Sequence, residues 1–301
     1  MASGSKKVIY AALIGNSLIS VTKFIAASIS GSSAMMSEGI HSVVDTGNQL
    51  LLLLGLKKAQ KPADTQFPFG HGKEVYFWSF AVAIIIFGVG AGISIYEGIH
   101  SLQDPHEISN PMINYIVLGL AMIFESFAWY FAWKEFKRTK GSQSYYKAVR
   151  RQKDPITFVV LFEDSAAMLG LIVAFLGVYL SQVTGLLIFD GIASITIGIV
   201  LGGTAIWLAH ETKGLLIGES ADLEIVDGIK SMTDNVNSIQ TVNEVLTLHM
   251  GPEYILVTIN ADFHSIINSD KIESDTATLS AKIKEAYPRV KRVFIEAEAS
   301  D

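Results

Sequence analysis

Six apolar stretches, each long enough to cross a lipid bilayer, constrain this chain more than any other feature of its sequence. A spanning helix needs about 20 predominantly apolar residues, and the stretches lie near residues 8–29, 34–56, 75–100, 112–133, 156–180 and 186–209. Only 17% of the residues are charged, against roughly 25% in soluble domains. We therefore expect an integral membrane protein rather than a cytosolic enzyme.

Charge and cysteine content exclude several further classes of function. The net charge is −6, and residues 213–301 hold 8 Lys and Arg against 15 Asp and Glu. An acidic chain of this kind is a poor binder of nucleic acid. The chain has no Cys, which excludes disulfides, thiol catalysis, iron–sulfur clusters and cysteine zinc sites.

The distribution of basic residues between the predicted spans gives the expected orientation. The loops GSS, SLQDPHEISNP and SQVTG contain no Lys or Arg. By the positive-inside rule, we expect the basic loops and both termini to lie in the cytoplasm. If the host is a bacterium, we expect the protein in its inner membrane. The basic loops after the second and fourth spans carry Lys57, Lys58, Lys61 and Lys73, and Lys134, Lys137, Arg138, Lys140, Lys147, Arg150, Arg151 and Lys153.

An abrupt rise in polarity after Lys213 predicts two domains. Residues 1–212 form the expected all-α transmembrane transport domain, and residues 213–301 a cytoplasmic α+β domain. Its alternating patterns predict a helix over 221–234, strands over 242–250 and 254–263, a helix over 270–286 and a strand over 289–299.

The second span carries charges that lipid does not tolerate well. In its sequence SEGIHSVVDTGNQ, one polar stripe covers an arc of about 100° at helical spacing. His41 and Asp45 are one turn apart, so both can reach the same ion. A structural His–Asp pair is the alternative. The stripe contains Glu38, His41, Asp45, Asn48 and Gln49.

The fifth span places two adjacent acids, Glu163 and Asp164, at a similar depth. Counted from the cytoplasmic ends of their spans, Asp45 and Asp164 differ in depth by roughly 4–5 Å. We expect them to meet, because ionisable groups within a membrane usually line a functional cavity. Imidazole with carboxylates suits Zn²⁺, Mn²⁺ or Fe²⁺.

Other polar and small residues of the spans leave alternatives open. Glu125 and Asp190 are further acids that could join the cavity, and Asp190 could equally cap its own helix. The long side chain of Lys23 can reach the interface, so we assign it no role. Small residues spaced four apart in the third and sixth spans predict either tight packing or a sliding seam.

These motifs, together with the loop FPFGHGKE, resemble the cation diffusion facilitator family. The resemblance covers nearly the whole chain and rests on HxxxD in the second span, FGHGK in the next loop and the acids of the fifth span. It implies a six-helix transmembrane domain, a cytoplasmic ferredoxin-like domain, a homodimer and proton-coupled export of divalent metal.

The family's transport site is only partly present. His41 and Asp45 match its second-span half, and Asp164 matches its fifth-span aspartate, but Val160 stands where a histidine is expected. Glu163 lies about 60° from Val160 around the helix and could take that place. The pattern LFEDSAAMLG is similar to the branch containing human zinc transporter nine, which also lacks this histidine.

Two further metal sites of the family are eroded in this sequence. Asp64 and His71 match a secondary zinc site of some bacterial members, but Phe67 replaces a histidine and a structured turn is the alternative. In the C-terminal tail, most positions that carry histidines or an aspartate in zinc-binding relatives are replaced. We therefore expect no strong binuclear zinc site there and assign the tail to dimerisation. The tail's ligand positions carry Asn243, Asn260, Glu296 and Glu298, with His249 and His264 remaining.

Together these features predict a divalent metal exporter, with Zn²⁺ as the first expectation and Mn²⁺ or Fe²⁺ as alternatives. The metal would bind His41, Asp45, Asp164 and Glu163 and be displaced by protons, because both compete for the same lone pairs. The expected partners are the metal, protons, the bilayer and a second copy, with no resident cofactor. A non-transporting metal sensor or scaffold is the competing class; an enzyme is disfavoured, because HExxH is absent.

Overall fold

The computed structural model describes residues 3–105, 107–108, 110–140 and 153–299. The chain divides into two compact units. The membrane unit comprises Met1–Gly55, Phe77–Val149 and Pro155–Thr212, and the C-terminal unit comprises Leu56–Tyr76, Arg150–Asp154 and Lys213–Asp301. Lys147, Arg150 and Arg151, which contribute to the predicted basic loop, lie outside the described residues.

Six long helices stand where the six spans were predicted, and most of them extend a few residues past the predicted ends. Four of them, α3 to α6, are long and apolar enough to cross a bilayer, with α4 counted over Pro111–Lys134. Spanning by α1 and α2 stays a prediction. The helices are α1 (Ser3–Ser30), α2 (Ser33–Ala59), α3 (Glu74–Gln103), α4 (Pro111–Lys140), α5 (Pro155–Thr184) and α6 (Ile188–Ile217).

Glycines bring helices α3 and α6 into backbone contact. A side chain added at Gly98 or Gly198 would overlap the facing helix, and the Ser194 hydroxyl donates to the carbonyl of Ser94 at 2.8 Å. Close approach of this kind is typical of small residues in membrane helices. The two helices are therefore tightly packed, and a sliding seam stays a prediction. Helix α3 also contains a π-helical segment at Ile86–Ala91.

The C-terminal unit contains a small sheet with helices packed against it. Its later elements are α7 (Leu223–Asp234), β1 (Ile239–Gly251), β2 (Tyr254–Phe263), α8 (Ser269–Ala286) and β3 (Val290–Ala297). Strands β1 and β2 pair antiparallel, and β2 and β3 pair parallel. The core includes Ile229, Ile255, Val257 and Ile283. The predicted class, a helical membrane domain with a small α+β domain, is confirmed.

Candidate metal site in the membrane unit

The polar stripe of α2 faces the interior of the membrane unit. His41, Asp45 and Asn48 are buried, whereas Val43 and Leu50 on the opposite face are about half exposed. Apolar side chains on the outside are what a lipid environment selects. The polar stripe predicted from the sequence is therefore the buried face of α2.

Helix α5 contributes buried acids to the same place. Glu163 and Asp164 are both buried, and the Asn48 amide donates to Glu163 Oε1 at 2.6 Å. This hydrogen bond joins α2 to α5. Asp45 interacts electrostatically with Glu163, Asp164 and also Glu125 of α4. Three of the four predicted ligands thus lie in one buried acidic group, with the half-buried Glu125 near it.

His41 lies beside this group with its ring nitrogens unsatisfied. Its Nδ1 is 3.2 Å from Asp45 Oδ1, but the geometry is not that of a hydrogen bond. In the described part of the chain, neither ring nitrogen of His41 nor Oδ1 of Asp45 has a hydrogen-bond partner. Buried polar atoms without partners cost about 1–3 kcal/mol each. Such atoms can be satisfied by a cation, whose ligands they would be.

The predicted metal ligands do not form a complete coordination site in this structure. Among the described residues, no three His, Asp or Glu side chains are arranged closely enough to hold a metal ion. Val160 is half-buried one turn before Asp164 and offers no donor atom. Metal ligation by His41, Asp45, Asp164 and Glu163 consequently stays a prediction.

A buried ion pair that the sequence analysis missed lies next to the candidate site. Lys23 of α1 is 1% exposed and donates to Glu38 Oε2 at 3.0 Å and to the Ser42 hydroxyl at 2.8 Å. The expectation that Lys23 extends to the interface was therefore wrong. The signal was available: Lys23 precedes the turn at Gly31 by about as many residues as Glu38 follows it, so antiparallel helices bring both to one level.

The second oxygen of Glu38 has room but no donor. Within the described residues, Glu38 Oε1 has no hydrogen-bond partner. Gly170 of α5 lies against it, and a Cβ at that position would overlap the oxygen. Gly170 thus keeps space for a carboxylate that also interacts electrostatically with Glu125. Ionisable groups from α1, α2, α4 and α5 form one continuous polar region.

Asp190 does not cap its own helix and is bonded instead to the start of α2. Its carboxylate accepts from the Ser32 hydroxyl and from the Ser33 amide, both at 2.5 Å. A carboxylate at a helix N-terminus satisfies free amides and the helix dipole. Asp190 thus ties α6 to α2.

The loop residues Asp64 and His71 satisfy one another. His71 Nε2 is 2.9 Å from Asp64 Oδ2, and Asp64 Oδ1 accepts from the amides of Gln66 and Phe67. The hydrogen bond with His71, followed by the amide of Phe67, lowers the pKa of the Asp64 carboxyl. These contacts favour the structured turn over a vacant metal site.

Residues at the eroded ligand positions of the C-terminal unit bind each other. The Asn243 amide donates to Asn260 Oδ1 at 2.8 Å, and the Asn260 amide donates to the Glu298 carboxylate. His249 is buried, and burial lowers its pKa to about 4. An amide–carboxylate chain thus joins β1 and β2 to the residue that follows β3.

A family profile, the cation efflux transmembrane domain, matches residues 9–217. The chain is 32% identical over 262 residues to the human proton-coupled zinc antiporter SLC30A9, mitochondrial, covering 86% of this chain and 46% of that protein. This chain thus spans about half the length of that relative.

Of two other relatives, one is named for no particular metal and one is named for manganese. The metal tolerance protein C4 of Arabidopsis thaliana is 30% identical over 264 residues, covering 86% of this chain and 57% of that protein. The manganese efflux system protein MneP of Bacillus subtilis is 22% identical over 298 residues, covering 97% and 95% of the two chains.

Proposed function

Because the chain belongs to the cation efflux family, we propose that it exports a divalent metal ion, Zn²⁺ first, in exchange for protons. The observation that carries the proposal is the buried His41, whose two ring nitrogens lack partners among the described residues and which lies beside Asp45. Asp45 in turn interacts with the acids of α5. A neutral imidazole and carboxylates are ligands for borderline divalent metals. A doubly charged ion would also offset the repulsion among the clustered acids.

The site would form when the predicted ligands of two helices converge on one ion. His41 and Asp45 approach from one turn of α2, while Asp164 and Glu163 approach from α5. Asn48 binds one oxygen of Glu163, so it would orient that carboxylate and leave its second oxygen for the metal. Outer partners of this kind position metal ligands and tune their affinity.

Proton exchange follows from the same ligand atoms. Carboxylate and imidazole lone pairs accept either a proton or a metal ion, so metal binding releases protons and proton binding releases metal. Alternating exposure of the site to the two sides of the membrane would then couple metal export to proton entry. The name of the human relative, a proton-coupled zinc antiporter, is in line with this coupling.

Zn²⁺ is preferred over Mn²⁺ in this proposal because one imidazole remains in the site. Replacement of the family histidine by Val160 leaves a donor set richer in oxygen than the usual one, and oxygen ligands suit Mn²⁺ as well. Relatives named for zinc and for manganese both match the chain. Mn²⁺ or Fe²⁺ export on the same fold is therefore the alternative.

We also propose that the chain works as a homodimer with both termini in the cytoplasm. The exposed face of the sheet supports a second copy as partner, since Leu246 and Phe294 flank Thr258 in register and are both about half exposed. Paired apolar side chains on an open sheet face are suited to an interface. The basic loops support the orientation.

Metal flux into proteoliposomes tests the proposed function directly. The wild-type chain should move Zn²⁺ with counterflow of protons, and Asp45→Ala or Asp164→Ala should reduce that flux at least about 100-fold, as expected for lost ligands. Thr46→Ala is the matched control, because its hydroxyl donates to the Ser42 carbonyl of its own helix. Wild-type flux in either ligand variant would exclude this site. Metal binding without flux would favour a sensor.

A further inference from the structure

Lys23 supplies a positive charge to a region of buried acids. Among the side chains of the membrane unit that the structure describes, it is the one buried Lys or Arg. It lies on α1, which supplies none of the predicted metal ligands. Charged groups inside a membrane helix are costly and usually serve a function, yet the proposed exchange of metal for protons gives Lys23 no role. The buried acids of the membrane unit are Glu38, Asp45, Glu163, Asp164 and Asp190.

Lys23 binds the turn of α2 that carries His41. Its ammonium group donates to Glu38 Oε2 at 3.0 Å, three residues before His41, and to the Ser42 hydroxyl at 2.8 Å, one residue after it. Two hydrogen bonds on either side of His41 hold the ammonium group in place. The positive charge is therefore fixed near the imidazole.

The same charge acts on the acidic group around the candidate metal site. Lys23 interacts electrostatically with His41 and with Glu125 of α4, and Glu125 interacts in turn with Asp45. Lys23 and Glu38 are 1% and 0% exposed, so water and salt screen these interactions only weakly. A metal ion bound by His41 and Asp45 would therefore be repelled by Lys23.

Glu38 opposes the charge of Lys23 with a carboxylate that is only partly bonded. One oxygen accepts from Lys23, whereas Oε1 has no hydrogen-bond partner among the described residues and lies against Gly170 of α5. The missing side chain at Gly170 gives this oxygen room beside the helix that carries the acids of the fifth span. A nearby metal ion would be attracted by Glu38 and repelled by Lys23, so the two residues should change metal affinity in opposite directions.

We propose that Lys23 is a tethered counter-cation of the transport site, which balances the buried acids when the metal ion is absent and lowers the affinity for the ion when it is bound. A transported ion must bind well enough to enter its site and weakly enough to leave it. Several carboxylates around a divalent ion favour entry, and the fixed charge of Lys23 favours release. This role rests on the proposed function, and it makes Lys23 a residue that sets metal affinity without touching the metal.

Zn²⁺ binding to the full chain in detergent micelles, measured by titration calorimetry, tests this role. Glu38→Gln leaves the charge of Lys23 unopposed and should weaken Zn²⁺ binding at least about 10-fold, as expected for a unit charge near a doubly charged ion in a medium of low dielectric. Adding Lys23→Met to Glu38→Gln should return the affinity to the wild-type level or above it.

Ser20→Ala is the matched control for contact between the same two helices. The Ser20 hydroxyl donates to the Gly39 carbonyl at 3.5 Å, so its loss removes a polar contact between α1 and α2 without a change of charge. This variant should bind Zn²⁺ as the wild type does. A loss of affinity in Ser20→Ala as large as that in Glu38→Gln would assign the effect to packing and overturn the role of Lys23.

The double variant separates a charge effect from a structural one. If the ion pair only holds the helices together, adding Lys23→Met will not recover the affinity lost in Glu38→Gln, and that result overturns the proposal. Equal affinity in the wild type and in Glu38→Gln also overturns it.

Asp45→Ala in the same assay tests the proposed transport site separately. Zn²⁺ binding that is lost in Asp45→Ala but insensitive to Glu38→Gln removes the role of Lys23 and leaves the transport site standing. Zn²⁺ binding that Asp45→Ala does not alter removes the site on which both proposals rest.

Discussion

The candidate transport site and the C-terminal unit differ in how their polar side chains are satisfied. In the part of the membrane unit that the structure describes, buried polar atoms around the site lack partners. In the C-terminal unit, side chains at the positions where the family carries metal ligands bind one another. His41, Asp45 and Glu38 each have an unpaired atom among the described residues. Asn243, Asn260 and Glu298 form a connected chain. Unsatisfied groups indicate where a ligand belongs, while satisfied groups indicate a structural role.

The largest expected difference between the two units concerns their ion pairs. Lys23→Met leaves Glu38 buried without its partner and should destabilise the protein by about 3–5 kcal/mol, most of which Lys23→Met/Glu38→Gln should recover. Lys271→Met removes an exposed pair with Asp275, 2.7 Å apart, and should cost less than about 1 kcal/mol. Thermal unfolding of the full chain in micelles compares them, and equal losses would contradict the comparison.

The buried His249 should make the stability of the C-terminal unit depend on pH. Burial lowers the pKa of His249 to about 4, below its ordinary value, so the unfolded chain binds a proton before the folded chain does. Stability contributed by neutral His249 is therefore complete above about pH 6.5 and falls by roughly 2–3 kcal/mol as the pH drops toward 4.

Hydrogen-exchange protection of β1 and β2 amides in the full chain, corrected for intrinsic exchange rates, measures this effect. His249→Gln should flatten the change in protection between pH 6.5 and pH 4. His41→Gln, on α2, should leave the protection of these strands unchanged. A wild-type profile that the His249 substitution does not alter would assign the pH dependence to other groups.

Zn²⁺ affinity should distinguish the Asn48–Glu163 pair from the Asn260–Glu298 pair, with a smaller effect than the two above. Asn48→Ala removes the amide that orients Glu163 and should lower Zn²⁺ affinity about 10–100-fold, the usual cost of losing an outer partner of a metal ligand. Asn260→Ala removes the amide bound to Glu298 and should leave Zn²⁺ affinity unchanged. Calorimetry on both variants tests this, and an effect of Asn260→Ala would relocate the metal site.

The smallest expected change concerns selectivity. Val160→His restores a second imidazole one turn before Asp164, and nitrogen ligands favour Zn²⁺ relative to Mn²⁺. The ratio of Zn²⁺ to Mn²⁺ flux should rise by about 10-fold or less, as expected for one altered contact. Val160→Ala controls for the change in packing. An unchanged ratio would place selectivity elsewhere in the protein.

Periodicity and length predicted the helices, the polar stripe of α2 and the strands closely, because each depends on residues near one another in sequence. Strand β2, for example, has the predicted bounds, 254–263. Partners on separate helices were less accessible. Asp190 was expected to cap its own helix or join the cavity, yet it binds the start of α2, because a helical pattern gives the face of a residue and not its neighbour.

The same limit explains Lys23 and Asn48. Both residues lie on helices that were predicted, but their partners Glu38 and Glu163 depend on how α1, α2 and α5 pack. The distance of Lys23 and Glu38 from the Gly31 turn contained part of that information. The partner of Asn48 on α5 depended on packing between spans that are distant in sequence.

X-ray absorption spectroscopy of the protein loaded with one equivalent of Zn²⁺ tests the central claim most directly. That claim is the convergence of α2 and α5 side chains on one ion. The account predicts one imidazole nitrogen and carboxylate oxygens at about 2.0–2.2 Å, with the imidazole lost in His41→Ala and carboxylate lost in Asp164→Ala. A spectrum unaffected by either substitution would contradict it.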